Sequence, residues 1–235
     1  SIKKFCNGFS GTTLVIPEVE LHAFVDMNVR FGVDLRFYPR VEDQARWHLQ
    51  AQAQKCWADI HCPEAELVLH TDSDCIWTAP VSPDDYLQDE KPVMLYEDYG
   101  NLPGNPWKPV VEEVLMRPIQ YEFMRRHPQV NPIGVYADLQ AHIERIHGIP
   151  FNDFVLSRKP DFPWGFTEHN VIGAFAFYSP KWHGAYSWQN VTGKRHPPSS
   201  SKLTQFWSLG PMDRRQSTPW GENLTAVEVF ERLGL

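Results

Sequence analysis

Asp72 and Asp74, separated only by Ser73, follow a short apolar run at residues 67–69. An apolar run of this length between polar residues predicts a buried strand. In an open α/β sheet, the carboxyl ends of the strands face the ligand crevice. Mg²⁺ and Mn²⁺ take hard oxygen ligands, typically one or two carboxylates together with phosphate oxygens. The spacing therefore predicts a metal–diphosphate site in which Asp74 binds the metal, while Asp72 reaches the metal, its waters or a ribose hydroxyl, with Ser73 beside them.

Electrostatics favours a cation at this position. Two unit charges about 4 Å apart at a protein surface interact by roughly 4 kcal/mol when the effective dielectric constant is near 20. Two aspartates alone would repel an anionic diphosphate, and a bridging Mn²⁺ or Mg²⁺ reverses the sign of that interaction and stabilises a departing phosphate. The alternative is a solvated turn with two ordinary aspartates, because Asp-X-Asp is short and common.

A polar helix face precedes the predicted strand. Gln50 and Gln54 stand four residues apart and therefore share one face of a helix, and Lys55 follows them directly. The two amides are candidates for contacts to a base or a sugar, and Lys55 is a candidate point charge for a phosphate. The alternative is that all three side chains only solvate the helix.

Glu168 lies in an apolar segment at residues 166–178. Burial raises the pKa of a carboxyl group, and such a group can act as a base or bind hydroxyls. We therefore predict Glu168 as the catalytic base, with helix capping alongside Thr167 and Asn170 as the alternative.

The third metal ligand is predicted from the C-terminal part of the chain. His183 and His196 are the candidates, because histidine binds Mn²⁺ and a loop can supply it. The predicted ligand set is Asp72, Asp74 and His196. The run at residues 125–127, Arg-Arg-His, ends a predicted helix, where cations complement the helix dipole or form an anion site.

Composition limits the class of protein. The chain has 235 residues, 42% of them hydrophobic and 22% charged, as in an ordinary globular domain. Its net charge of −7 argues against a nucleic-acid partner, which requires a basic face. No signal pattern and no apolar run of about 20 residues indicates a transmembrane segment. We expect a cytoplasmic protein, free or peripheral to the inner face of the membrane.

The order of elements predicts an α/β domain with a mostly parallel, mixed sheet and helices on both faces. Strands are predicted at residues 12–16, 33–38 and 92–96 and in a segment ending at residue 72; helices are predicted at 42–60, 107–116, 119–126, 135–147 and 226–233. We expect one domain with a nucleotide- and metal-binding part at 1–98, a helical insertion on the acceptor side at 99–160, and a C-terminal part at 161–235.

Several blocks resemble glycosyltransferases of the GT-A type, in particular a bacterial group of GT-A-like proteins without an assigned substrate. The resemblance covers residues 3–210. Its blocks are the Gln/Lys helix followed by LHTDSDC at 69–75, MRRHP at 124–128, HIERIHGIPF at 142–151, FTEHNVIG at 166–173 and QFWS at 205–208. The DXD block is common to many families, and the later blocks are more distinctive.

The resemblance implies a metal-dependent glycosyltransferase. Its donor would be a nucleotide sugar, with the diphosphate on Mn²⁺ or Mg²⁺ held at the DXD motif, and its acceptor a carbohydrate or a lipid-linked molecule. Glu168 would be the base of an inverting reaction, or would orient the substrate of a retaining one. The GT-A fold opens with a strand and a helix that dock the base, and residues 1–6 resemble the end of that helix. This predicts a fragment or a trimmed fold, and leaves the nucleotide base open.

Two other functions stay open at this point. A haloacid-dehalogenase-like phosphatase also carries Asp-X-Asp after an apolar strand, but that family has Thr or Val where this chain has Ile76. A catalytically inactive module that binds sugars or nucleotides would keep the fold, because a fold does not fix a function.

Overall fold

The computed structural model describes residues 1–124, 128–160, 165–192, 202–206, 215–218 and 220–235, which form a mixed α/β arrangement. The α-helices are α1 Ile2–Phe5, α2 Leu21–Phe24, α3 Met27–Phe31, α4 Trp47–Lys55, α5 Ala58–His61, α6 Lys108–Leu115, α7 Gly134–His147, α8 Phe151–Leu156, α9 Glu168–Tyr178 and α10 Ala226–Leu233. Short 3-10 helices lie at Glu18–Glu20, Gln44–Arg46, Pro83–Tyr86, Tyr99–Asn101 and His183–Ala185.

The strands are β1 Thr13–Pro17, β2 Asp34–Tyr38, β3 Leu67–His70, β4 Cys75–Trp77, β5 Leu87–Gln88, β6 Lys91–Asp98, β7 Tyr121–Glu122, β8 Gln129–Pro132, β9 Ser187–Asn190, β10 Leu203–Gln205, β11 Gln216–Ser217 and β12 Asn223–Leu224. In the described part of the chain, β1 with β2 and β6 with β9 pair in parallel. The other five strand pairs, β3 with β8 among them, are antiparallel.

The predicted preference for parallel pairing is therefore not seen in the described strands. Parallel neighbours need a crossover connection, whereas antiparallel neighbours can be joined by a two-residue turn. The connection between β5 and β6 is such a turn: Asp89 and Glu90 have φ angles of 51° and 60°, as a hairpin turn with two left-handed residues requires. Helices do separate β1 from β2, and that pair is parallel.

The main hydrophobic core lies between helices α6 to α9 and strand β6. Helix α7 shows why its sequence is helical: Val135, Leu139 and Ile143 recur every four residues and are fully buried. The helix ends at Gly148, whose φ of 68° suits glycine and whose N–H donates to the carbonyl of Glu144. Burying such a stripe of side chains stabilises the fold by about 1.5–3 kcal/mol per residue.

Two predicted elements differ from the observed ones. The helix predicted at 42–60 is divided into a 3-10 turn, α4 and α5. The helix predicted at 119–126 is wrong for the described residues 119–124, because Tyr121 and Glu122 pair with Asp98 and Glu97 of β6. The predicted helices at 107–116, 135–147 and 226–233 are confirmed to within one residue at each end.

In the described segments, every helix is too short or too polar to cross a membrane.

Candidate functional site

The two aspartates lie in the turn that joins β3 to β4. Strand β3 ends at His70, two residues earlier than predicted, and its last pair with β8 is His70 opposite Gln129. The carbonyl of Asp72 then accepts a hydrogen bond from the N–H of Cys75 at 3.1 Å, which closes the turn. Asp72 and Asp74 are half-buried, and Ser73 between them is exposed.

Gln205 joins the two carboxylates, and sequence reasoning did not assign it to the site. It lies on β10, opposite Cys75 of β4. Its Nε2 lies 3.4 Å from Asp72 Oδ2 and 3.3 Å from Asp74 Oδ1, so one amide group donates to both acids. The only signal in the sequence was the block at 205–208, whose first residue is this glutamine.

Lys55 brings Asp72 and Glu168 together. Lys55 is the last residue of α4, and Glu168 is the first residue of α9. The Lys55 ammonium donates to Asp72 Oδ1 and also to Glu168 Oε1, the second at 2.5 Å. Each helix end suits its charge, because the dipole favours a cation at the C-terminus and an anion at the N-terminus.

The charges in this group stabilise one another in a buried setting. Burial alone lowers the pKa of Lys55, but the nearby charges of Glu168 and Asp72 outweigh it and hold that pKa above its usual value. Burial raises the pKa of each carboxyl, and Lys55 more than offsets this, so the pKa values of Asp72 and Glu168 are lowered. All three groups are therefore ionised at neutral pH.

The sequence predicted a raised pKa for Glu168, and that prediction is wrong. The apolar surroundings are as expected, since the Glu168 side chain is only 5% exposed. The effect of burial is overridden by Lys55, which reaches Glu168 from a position 113 residues away in the chain. Local composition could not reveal this contact.

His169 completes the cluster from the same helix. Its Nε2 lies 3.5 Å from Glu168 Oε1, and its Nδ1 lies 3.3 Å from Gln129 Oε1. Burial lowers the pKa of His169, so the ring is neutral. One ligand atom each from Asp72, Glu168 and His169 lie within 4.8 Å of one another. Two carboxylates and one imidazole are a donor set that suits a divalent cation such as Mn²⁺.

The two glutamines of α4 are engaged away from this cluster. Gln50 is buried, where it accepts from the N–H of Val41 and donates to the carbonyl of Pro39. Gln54 Oε1 lies 3.0 Å from His61 Nε2. Both amides therefore form hydrogen bonds that hold neighbouring segments of the protein to α4. Their predicted contacts to a base or a sugar stay predictions.

The predicted histidine ligands are not part of the described cluster. His183 Nδ1 lies 2.7 Å from the carbonyl oxygen of Phe177, and its ring stacks on Trp188 at 5.4 Å. His196 lies outside the described residues, as do Arg125, Arg126 and His127.

Comparisons with known proteins give a structural similarity and no family match. No family profile matches it, and no curated protein sequence matches it either. A similar solved structure is that of a glycosyltransferase involved in the glycosylation of the major capsid of PBCV-1. The match has 12% sequence identity, covers 77% of this chain and 82% of that one, and has a TM-score of 0.35.

Proposed function

We propose that this chain is a metal-dependent glycosyltransferase that moves a sugar from a nucleoside diphosphate donor to a carbohydrate or lipid-linked acceptor. The observation that supports it is the meeting of Lys55, Asp72 and Glu168 at the end of β3. Asp74 is joined to this group through Gln205. The group thus adds a lysine and a third acid to the Asp-X-Asp pattern from which the sequence predicted a diphosphate site.

This set of charges suits an anionic donor once a cation is bound. Mg²⁺ and Mn²⁺ are commonly held by one or two carboxylates together with substrate phosphates. When bound, such a cation supplies charge stabilisation to the leaving nucleoside diphosphate. Lys55 carries a compact charge on a flexible stem and would add a second cation for the phosphates.

The role of Glu168 depends on Lys55. A base must be ionised, and the lowered pKa of Glu168 meets that requirement. Its Oε1, however, lies 2.5 Å from the Lys55 ammonium, so an acceptor hydroxyl would reach that oxygen only after Lys55 withdraws. The contacts of Glu168 in this structure are those of a residue that holds a cation.

The function is tested by measuring nucleoside diphosphate release from a panel of nucleotide sugars, with and without Mn²⁺ and with candidate glycan acceptors. We expect turnover only with Mn²⁺ or Mg²⁺, and a loss of at least about tenfold in Asp72→Asn and in Asp74→Asn. The matched control is Asp89→Asn, since Asp89 is exposed with a φ of 51°, which asparagine adopts readily.

Other outcomes would contradict the proposal. Release of inorganic phosphate from sugar phosphates would identify the phosphatase instead. Binding of a nucleotide sugar without turnover, when acceptors are present, would identify an inactive binding module. Full activity in Asp72→Asn would show that this carboxylate takes no part in the reaction.

A further inference from the structure

Lys55 occupies a position between two carboxylates. Its ammonium donates to Asp72 Oδ1 and to Glu168 Oε1, and the second distance is 2.5 Å. The Glu168 side chain is 5% exposed, so water does little to stabilise its charge. A cation is therefore required at this point, and Lys55 supplies it in this structure.

Gln129 orients the ring of His169. Gln129 Nε2 donates to the carbonyl oxygen of His169 at 3.0 Å, so its Oε1 is the atom that lies 3.3 Å from His169 Nδ1. An amide oxygen only accepts hydrogen bonds. Nδ1 therefore donates to Gln129 Oε1, and Nε2 is directed towards Glu168.

Nε2 faces a carboxylate. His169 Nε2 lies 3.5 Å from Glu168 Oε1. Neighbouring ligands of an octahedral cation with bonds near 2.1 Å are separated by about 3 Å, and opposite ones by about 4 Å. The ligand atoms of Asp72, Glu168 and His169, all within 4.8 Å of one another, come close to this spacing.

We propose that Asp72, Glu168 and His169 form a Mn²⁺ site, and that Lys55 holds the position of the cation until Mn²⁺ displaces it. The imidazole ligand favours Mn²⁺ over Mg²⁺, which prefers oxygen donors alone. This ligand set differs from the predicted one, in which Asp74 and His196 bind the metal. This proposal deepens the proposed function. It rests on that function only where it assigns the cation to the donor diphosphate.

The exchange balances the charges of the cluster. Lys55 neutralises one of the two negative charges on Asp72 and Glu168, and a divalent cation neutralises both. Once displaced, the Lys55 ammonium remains attached at the end of α4 by its flexible four-carbon stem. There it becomes available to a phosphate of the donor.

The site is tested by titrating the whole chain with Mn²⁺ alone, using isothermal calorimetry and the electron paramagnetic resonance signal of free Mn²⁺. We expect Lys55→Met to bind Mn²⁺ at least about tenfold more tightly than the unchanged chain, because the competing charge is removed. In the Lys55→Met background, Glu168→Gln and His169→Ala should each weaken binding at least about tenfold. Asp89→Asn, an exposed acid in the turn between β5 and β6, is the control and should change binding by less than about threefold.

Some results would overturn the site. The site is refuted if a folded Lys55→Met variant binds Mn²⁺ no more tightly than the unchanged chain. It is also refuted if Asp74→Asn abolishes Mn²⁺ binding while Glu168→Gln keeps it. If Lys55→Met is unfolded by itself, recovery of its circular dichroism signal on adding Mn²⁺ supports the site. The site is refuted if the signal does not recover and if the unchanged chain and His169→Ala bind Mn²⁺ with equal affinity.

This measurement uses no nucleotide sugar, so the two proposals fail separately. Mn²⁺ bound by Asp72, Glu168 and His169 in a chain that turns over no nucleotide sugar would refute only the proposed function. Turnover that depends on Asp74 but is unaffected in Glu168→Gln and His169→Ala would refute only the ligand set.

Discussion

At the scale of single residues, Lys55 controls the charge state of the cluster. Without it, a glutamate whose side chain is 5% exposed and a half-buried aspartate would lie close together with no cation between them. Burial raises the pKa of each acid, and the lysine reverses that effect. Breaking a buried ion pair from one side costs about 3–5 kcal/mol, because the remaining charge is uncompensated.

We therefore expect Lys55→Met to lower the free energy of unfolding by about 3–5 kcal/mol in metal-free buffer, measured by urea denaturation. The matched control is Lys181→Met, because Lys181 also pairs with an aspartate, Asp138, but its side chain is 66% exposed. An exposed pair contributes at most about 1 kcal/mol, so the control should change little. Equal effects of the two substitutions would mean that the Lys55 contacts add no buried stabilisation.

Two cysteines offer a test by pH. Burial, followed by the charges of Asp72 and Asp74, raises the pKa of Cys75 to about 12, and burial raises the pKa of Cys6 to about 11. Only the thiolate reacts with iodoacetamide, and at pH 8 a thiol with a pKa of 12 is ionised in about one molecule in ten thousand.

We expect alkylation of both cysteines, followed by mass spectrometry, to be slow at pH 7 and to rise about tenfold per pH unit up to pH 9.5. An ordinary thiol, with a pKa near 8.5, is half ionised at that pH, so its alkylation rate levels off above about pH 9. The urea-unfolded chain, in which the environment of each cysteine is lost, is the control and should level off. Fast labelling of folded Cys75 at pH 7 would contradict its raised pKa.

The sequence predicted only part of the cluster at this scale. Lys55, Asp72 and Glu168 were candidates from residue type, and they do meet. His169 and Gln205 were present in the noted blocks but were not assigned, because their function depends on partners far away in the chain. Gln50 and Gln54 look like ligand contacts by type, yet their amides bind other parts of the protein.

At the scale of elements, helix α9 carries Glu168 and is held against the chain that precedes β8. Gly173 lies inside this helix with Phe123 directly against it: a Cβ added at Gly173 would lie 2.5 Å from the Phe123 Cβ. Asn170 strengthens the same contact, since its Oδ1 accepts from the N–H of Phe123 at 2.9 Å. Glycine is required here for close packing, although it is a poor helix former.

Gly173→Ala should consequently destabilise the protein by about 1–3 kcal/mol, even though the same change in an exposed helix stabilises it by about 1 kcal/mol. The measurement is the urea midpoint followed by circular dichroism. Gly184→Ala is the control, since an added Cβ there has no heavy atom within 4 Å among the described residues. A stabilised Gly173→Ala would show that Phe123 moves aside at little cost.

Elements with a clear internal pattern were predictable. Helix α7 has its buried stripe and ends at Gly148, and α10 begins with Thr225 and Glu228, which cap each other in a reciprocal box. The segment at 119–124 has a helical composition but no such boundaries. Its conformation is set by pairing with β6, which lies more than twenty residues earlier in the chain.

At the scale of the whole molecule, the site exists only because four distant segments meet. Lys55 and Glu168 are 113 residues apart, and Asp72 and Gln205 are 133 residues apart. Two helix ends, the turn after β3 and the strand β10 supply these side chains. The direction of strand pairing is also decided at this scale, and it is antiparallel for β3 with β8 and for β4 with β10.

The sequence by itself determined the mixed α/β class, the positions of α6, α7 and α10, and the choice of Lys55, Asp72 and Glu168 as candidate site residues. These follow from local patterns, since apolar periodicity, capping residues and charge act over a few neighbours. The tertiary structure decided that Lys55 lies between Asp72 and Glu168, that His169 faces them and that Gln205 joins the two aspartates. Those contacts depend on which surfaces bury each other, and the charge of a buried group is set by its spatial neighbours.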